Sequence, residues 1–108
     1  MKASALTTHV LNTATGGPMA GVLVELFRDG AKVAQAVTNA DGRTDASLLA
    51  TADFVPGHYE LRFHVGAHFG GVGFLDVVPI AVVLAAGQGH YHVPLLCSPW
   101  SYATYRGS

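Results

Sequence analysis

A chain of 108 residues has the length of one domain, 1–108, able to bury roughly two thirds of its unfolded surface. Six Lys and Arg against seven Asp and Glu leave a net charge of −1, with no basic run to neutralise a phosphate backbone, so nucleic acid is not an expected partner. Half of the residues are hydrophobic and 12% are charged, which leaves too little charge to coat an ordinary monomer and points to contact with another subunit.

In chain order, apolar residues recur with period two rather than 3.6, the mark of strands. The opening "MKASALTTHV" holds no apolar stretch of the length a secretory signal needs, and a cytoplasmic location is the expectation. In "SALTTHVLN", Leu6, Thr8 and Val10 fall on one face of a strand and Thr7, His9 and Leu11 on the other. A turn cluster, "TGGPMAG", separates this strand from "VLVELFRDG" and "AKVAQAVTN", which read as a hairpin closed by Asp29 and Gly30. A second Asp-Gly turn, in "NADGRTD", delivers Arg43 to the next short segment. "HYELRFHV" alternates cleanly, with Tyr59, Leu61, Phe63 and Val65 inward and Glu60, Arg62 and His64 outward. One helical turn fits near Ala67 to Gly70, and "IAVVLAA", "HYHVPLLCS" and "SYATYR" are further strands. Seven or eight strands and one short helix predict an all-β sandwich of two antiparallel sheets. The longest apolar run, Ile80 to Ala86, is far below a membrane span, so no membrane partner is expected.

Six histidines are the chemical anomaly. His58 sits at a turn, His64 on a polar strand face and His68 in a glycine-rich piece, and all three read as structural. His90 and His92, two apart in "HYHVPLL", share a strand face at a spacing that a metal could use, but the local motif offers no third ligand and no metal is expected. Cys97 is the lone cysteine; it cannot form an intrachain disulfide, and Leu95 and Leu96 beside it suggest a buried thiol. No glycine elbow surrounds Ser98, Ser101 or Ser108, so there is no sign of a covalent nucleophile. Histidine acting as general base on water, with arginine offsetting negative charge, needs neither metal nor cofactor.

Three pieces, "LTTHVLNTATGGPMAGV", "NADGR" and "HYHVPLLCSPWSYATYRGS", make the chain resemble the 5-hydroxyisourate hydrolases, the transthyretin-related enzymes of purine degradation. The terminal Tyr-Arg-Gly-Ser is the most specific of these motifs. The resemblance implies a transthyretin-like sandwich assembled as a homotetramer, a dimer of dimers. It also implies hydrolysis of 5-hydroxyisourate to 2-oxo-4-hydroxy-4-carboxy-5-ureidoimidazoline without a cofactor. The family's catalytic residues fall on His9, Arg43, His92 and Ser108, and its substrate contacts on His9, Arg43, Tyr105, Arg106, Gly107 and Ser108. Arg106 is expected to offset the terminal carboxylate. Asn12 departs from the aspartate of many relatives. Two alternatives are a hormone-binding transthyretin and a purely structural sandwich module. In the transthyretins the two histidines and the arginine are replaced by lysine, threonine and glutamate and the tetrapeptide is missing, whereas the hydrolase residues stand at each of these places here.

Overall fold

The computed structural model describes residues 4–107. Among the described residues there are eight strands: β1 (Leu6–Asn12), β2 (Gly17–Pro18), β3 (Leu23–Arg28), β4 (Ala31–Val37), β5 (Gly57–His64), β6 (Val77–Leu84), β7 (Tyr91–Cys97) and β8 (Tyr102–Thr104). A 3-10 turn over Thr51–Asp53 precedes β5, and a single-turn helix, α1 (Val65–His68), follows it. The strands form two four-stranded sheets, ordered β2-β1-β7-β8 and β4-β3-β5-β6.

Alternation along the strands explains why the sheets stack. Leu6, Thr8 and Val10 of β1 are buried, as are Tyr59, Leu61 and Phe63 of β5, while the residues between them are half-buried or exposed. Burying one face of each sheet against the other closes a core that runs from Leu6, Val10, Val93 and Leu95 on one side to Val24, Leu26, Leu61, Phe63 and Val78 on the other. Thr8 is polar yet buried because its hydroxyl donates to the Val93 carbonyl at 2.7 Å. Cys97 is fully buried at the end of β7, and burial pushes its thiol up from the ordinary range, which keeps it protonated and chemically quiet.

The hairpin expected at Asp29-Gly30 joins β3 and β4, with φ of 49° and 84° at those two residues, the double left-handed turn that matches strand twist. A register shift between Leu26 and Phe27 interrupts the β3–β4 pairing. The expected helical turn is present, displaced two residues toward the N-terminus, to Val65–His68. One feature of the architecture is invisible to strand alternation: β1 and β7 run parallel, pairing Thr7 with His92 and His9 with Pro94. Period-two patterning shows which face a residue occupies but carries no information on strand direction, and this parallel pair sets up the site. The two residues of β2 lie inside what reads as a turn cluster; they pair with Leu11 and Asn12.

Asn12 accepts from the Ala14 and Thr15 amides at 2.9 and 3.3 Å. An aspartate carboxylate would accept the same two bonds, so the departure at Asn12 keeps the turn that follows β1.

Candidate active site

The outward face of the β2-β1-β7-β8 sheet carries the chemical groups. Backbone bridges align four distant segments across it. His9 pairs with Arg43, Thr7 with His92, and His92 with Gly107. Because neighbouring strands lie about 4.8 Å apart, this ladder sets His9, Arg43, His92 and the tail side by side although up to 98 residues separate His9 from Gly107 in sequence. They surround a cavity of about 600 Å³ lined by Thr7, His9, Arg43, His90, His92, Tyr105 and Gly107 together with residues 44–47.

Each element has a local reason for its placement. The Asp-Gly turn before Arg43 is organised by Asn39. Its side-chain oxygen accepts from the Asp41 and Arg43 amides at 2.9 and 3.2 Å, and its amide donates to the Asp45 carboxylate at 2.9 Å. Gly42 has φ of 73°, and a Cβ there would collide with the Val10 carbonyl, which accepts from Met19 at 2.9 Å, while Val10 donates to the Gly42 carbonyl at 2.8 Å. Only glycine lets the turn lie flat against β1, and Arg43 follows directly. At the other end, the Gly107 amide donates to the His92 carbonyl at 2.7 Å, so the tail continues as a strand edge beside β7.

The imidazoles differ in what they can do. Nε2 of His9 lies 2.9 Å from the Asp41 carbonyl; a carbonyl only accepts, so Nε2 carries the proton and Nδ1 is the free nitrogen of the neutral ring. Nδ1 of His92 lies 2.9 Å from the Thr7 hydroxyl, which leaves its Nε2 open to the cavity chemistry. His92 titrates below the ordinary imidazole value. Partial burial is the main cause, and the positive charge of Arg43 and the neighbouring His90 and His9 add to it. At neutral pH it is therefore a neutral base.

Of the residues expected to form the site, His9, Arg43, His92, Tyr105 and Gly107 meet at the cavity. Arg106 does not. Successive residues of an extended tail point to opposite sides, and the Arg106 guanidinium stacks 4.2 Å above the Tyr91 ring and donates to the Gln88 carbonyl at 3.0 Å. In the single chain it straps the tail to β7, and it lines a second, apolar cavity with β6. Ser108, expected in the catalytic set, lies outside the described residues. Among the remaining histidines, His64 pairs with Glu25 at 2.5 Å and His68 reaches the Ala20 carbonyl at 3.0 Å. The His64 bond, then Lys32, holds the Glu25 carboxyl below the usual range. Sequence reasoning missed Thr7, Asn39 and the involvement of His90. A Thr on the same strand face as a candidate histidine, and an Asn two residues ahead of an Asp-Gly turn, are signals that could have found the first two.

A two-sheet sandwich with two histidines, an arginine and a strand-like tail on one outer face defines a transthyretin-type fold with a histidine–arginine pocket. The chain belongs to the HIUase/Transthyretin family, whose model matches residues 6–107. It is 51% identical over 113 residues to a 5-hydroxyisourate hydrolase of Deinococcus radiodurans, covering 95% of each chain. Among solved structures it is similar to the 5-hydroxyisourate hydrolase of Klebsiella pneumoniae, with a TM-score of 0.87 and 39% identity over 97% of this chain and 99% of that one. The transthyretin of Sparus aurata has the same fold at a TM-score of 0.87 but 28% identity, over 95% of this chain and 96% of that one.

Proposed function

We propose that this chain hydrolyses 5-hydroxyisourate, opening its ring to 2-oxo-4-hydroxy-4-carboxy-5-ureidoimidazoline. The observation that carries the reading is the convergence of His9, Arg43 and His92 on one cavity, together with high identity to proteins named as hydrolases of that compound. The substrate is a cyclic amide. Its hydrolysis requires a water oxygen to attack a ring carbonyl carbon while that oxygen loses a proton, and then requires a proton on the departing nitrogen.

His92 is the base. Its ring is neutral at pH 7 because burial and the Arg43 cation disfavour the imidazolium, and with Nδ1 engaged by Thr7 its Nε2 lone pair is the one available to water. Arg43 is a fixed cation whose planar fork suits a flat, oxygen-rich ring, and it offsets the charge that grows on the carbonyl oxygen. His9 donates through Nε2 to the Asp41 carbonyl and offers Nδ1 to orient substrate or water. Ser108 is assigned substrate positioning by the family motif.

The direct test generates 5-hydroxyisourate with urate oxidase and follows its ultraviolet decay with and without the protein. Accelerated decay is expected; an unchanged rate leaves the hormone-carrier reading, which a thyroid-hormone binding assay would then examine. A second expectation concerns pH. A base with a depressed pKa keeps its activity below the ordinary imidazole value of about 6.5 and loses it only as pH falls further. Replacing Arg43 by Gln removes one cause of the depression while the burial remains. The acid limb of kcat/KM should therefore move upward toward that ordinary value, on top of a lower overall rate. A limb that stays in place in R43Q would show that the titrating group is not His92.

Assembly as a homotetramer, a dimer of dimers, belongs to the same proposal. Both sheets end on an edge strand, β6 and β8, and Val83 and Tyr102 on those edges are 64% and 44% exposed. Paired edges of a second copy would satisfy their free backbone groups.

A further inference from the structure

His90 has no part in the scheme above, yet it shares with its base, His92, the hydroxyl of Thr7. The Thr7 hydroxyl lies 2.6 Å from Nε2 of His90 and 2.9 Å from Nδ1 of His92, so one oxygen touches two imidazoles. A hydroxyl has a single proton to give. If it donates to one ring, it must accept an N–H from the other. The role of His92 as base chooses the sense, because its Nε2 is a free lone pair only when its Nδ1 carries the ring proton. With that tautomer the 2.9 Å contact has Nδ1–H of His92 donating to the hydroxyl, and the hydroxyl's own proton is directed to Nε2 of His90 at 2.6 Å. That arrangement leaves Nε2 of His92 unprotonated, as the base requires.

We propose, resting on the hydrolase reading above, that Thr7 is a positioning residue that fixes the tautomer of His92 and joins it to His90 in a proton relay. When Nε2 of His92 takes a proton from the attacking water, the Nδ1 proton passes to Oγ1 of Thr7 as the hydroxyl proton passes to Nε2 of His90. His92 is again neutral and now holds a proton on Nε2, and the positive charge rests on His90. When the ring nitrogen departs, Nε2 of His92 gives it that proton, and the relay runs backward to restore the starting tautomers. No proton is gained or lost overall, and one ring serves as base and then as acid.

The relay has a physical advantage at this place. His92 is half-buried beside a guanidinium, where an imidazolium is disfavoured, whereas His90 is exposed to water. Their ring centroids are 6.3 Å apart, too far for direct transfer, and the hydroxyl that contacts both rings is the link. The other titratable or charged groups around His92 are His9 on β1, Arg43 and Asp45 on the β4–β5 connection, and Tyr105 on the tail. Among the described residues, no hydrogen bond from any of them reaches Nδ1 of His92 or Nε2 of His90.

The test uses Thr7→Val, Thr7→Ser and His90→Gln in the full chain. T7V keeps the shape of the side chain and removes the hydroxyl; kcat should fall on the order of 10-fold to 100-fold, up to the lower bound of a full general acid–base effect, because the base itself remains. T7S should restore it. H90Q can still accept a hydrogen bond from Thr7 but cannot take up its proton, so kcat should fall and the solvent deuterium isotope effect should change, and the double variant T7V/H90Q should be no slower than T7V. Long-range nitrogen–proton spectra of histidine-labelled protein without substrate should show His92 protonated on Nδ1 in the wild type and mixed between tautomers in T7V. Full activity in T7V, additive losses in the double variant, or His92 protonated on Nε2 in the wild type would each overturn the relay. Wild-type protein that does not accelerate 5-hydroxyisourate decay would overturn the hydrolase reading instead, and the spectra would still report on the Thr7 bridge.

Discussion

Replacing His92 by Asn should lower kcat by about 10²- to 10⁴-fold, the range for losing a general base, equivalent to about 2.7–5.4 kcal/mol of barrier. The substitution is chosen to separate chemistry from structure. The amide of Asn falls near the position of Nδ1 and can still donate to Thr7, so the hydrogen bond at 2.9 Å survives while the reactive Nε2 disappears. The side chain lies on the outer face of its sheet and is only half-buried, so its loss opens no cavity between the sheets. Thermal unfolding and the oligomer size on gel filtration should therefore match the wild type. Ultraviolet decay of 5-hydroxyisourate measures kcat directly. A variant retaining more than a tenth of wild-type turnover would transfer the role of base to His9, whose Nδ1 is also a free nitrogen.

The fold was legible in the sequence because burial on one face of each strand leaves a period-two record. Tyr59, Leu61 and Phe63 alternate with Glu60, Arg62 and His64, and the structure buries the first set. Asp29-Gly30 specified its hairpin because few other residue pairs take the double left-handed turn. The site was less legible, for two physical reasons. His9 and Arg43, or His92 and Gly107, meet through isolated backbone bridges between segments far apart in sequence, and alternation says nothing about which strands become neighbours or whether they run parallel. Family likeness supplied that neighbourhood; spacing did not. The second reason is that side-chain direction in an extended tail depends on one-residue register. Arg106 and Gly107 are adjacent letters of one motif, yet the first turns to Tyr91 and the second to His92. A motif read as a unit hides this division of labour. Thr7 escaped notice because a strand threonine is common, and its position between two imidazoles depends on the parallel register of β1 with β7.

Gly107→Ala should cost about 100-fold in kcat, with little change in stability. The tail backbone lies directly against the His92 ring: a Cβ on Gly107 would stand 2.6 Å from Cδ2 and 3.2 Å from Cγ of the imidazole. Carbon atoms do not approach that closely, so something must move. If the tail lifts, the bond from the Gly107 amide to the His92 carbonyl at 2.7 Å is broken and Tyr105 leaves the cavity with it. If the ring rotates, the Thr7 bond to Nδ1 is lost and Nε2 swings away from the water it must activate. Either movement is of the order of 1 Å, and a displacement of that size at reacting atoms costs about 10²-fold. Stability should hold because the β7–β8 pairing, from Leu95 with Thr104 to Cys97 with Tyr102, lies beyond the disturbed segment and Gly107 touches none of the core. Comparing kcat with the thermal midpoint in the same preparations distinguishes the outcomes. A large drop in both would mean that the tail supports the sandwich itself, whereas unchanged kcat in G107A would remove the tail from the site and leave His92 free of the strand edge that fixes it.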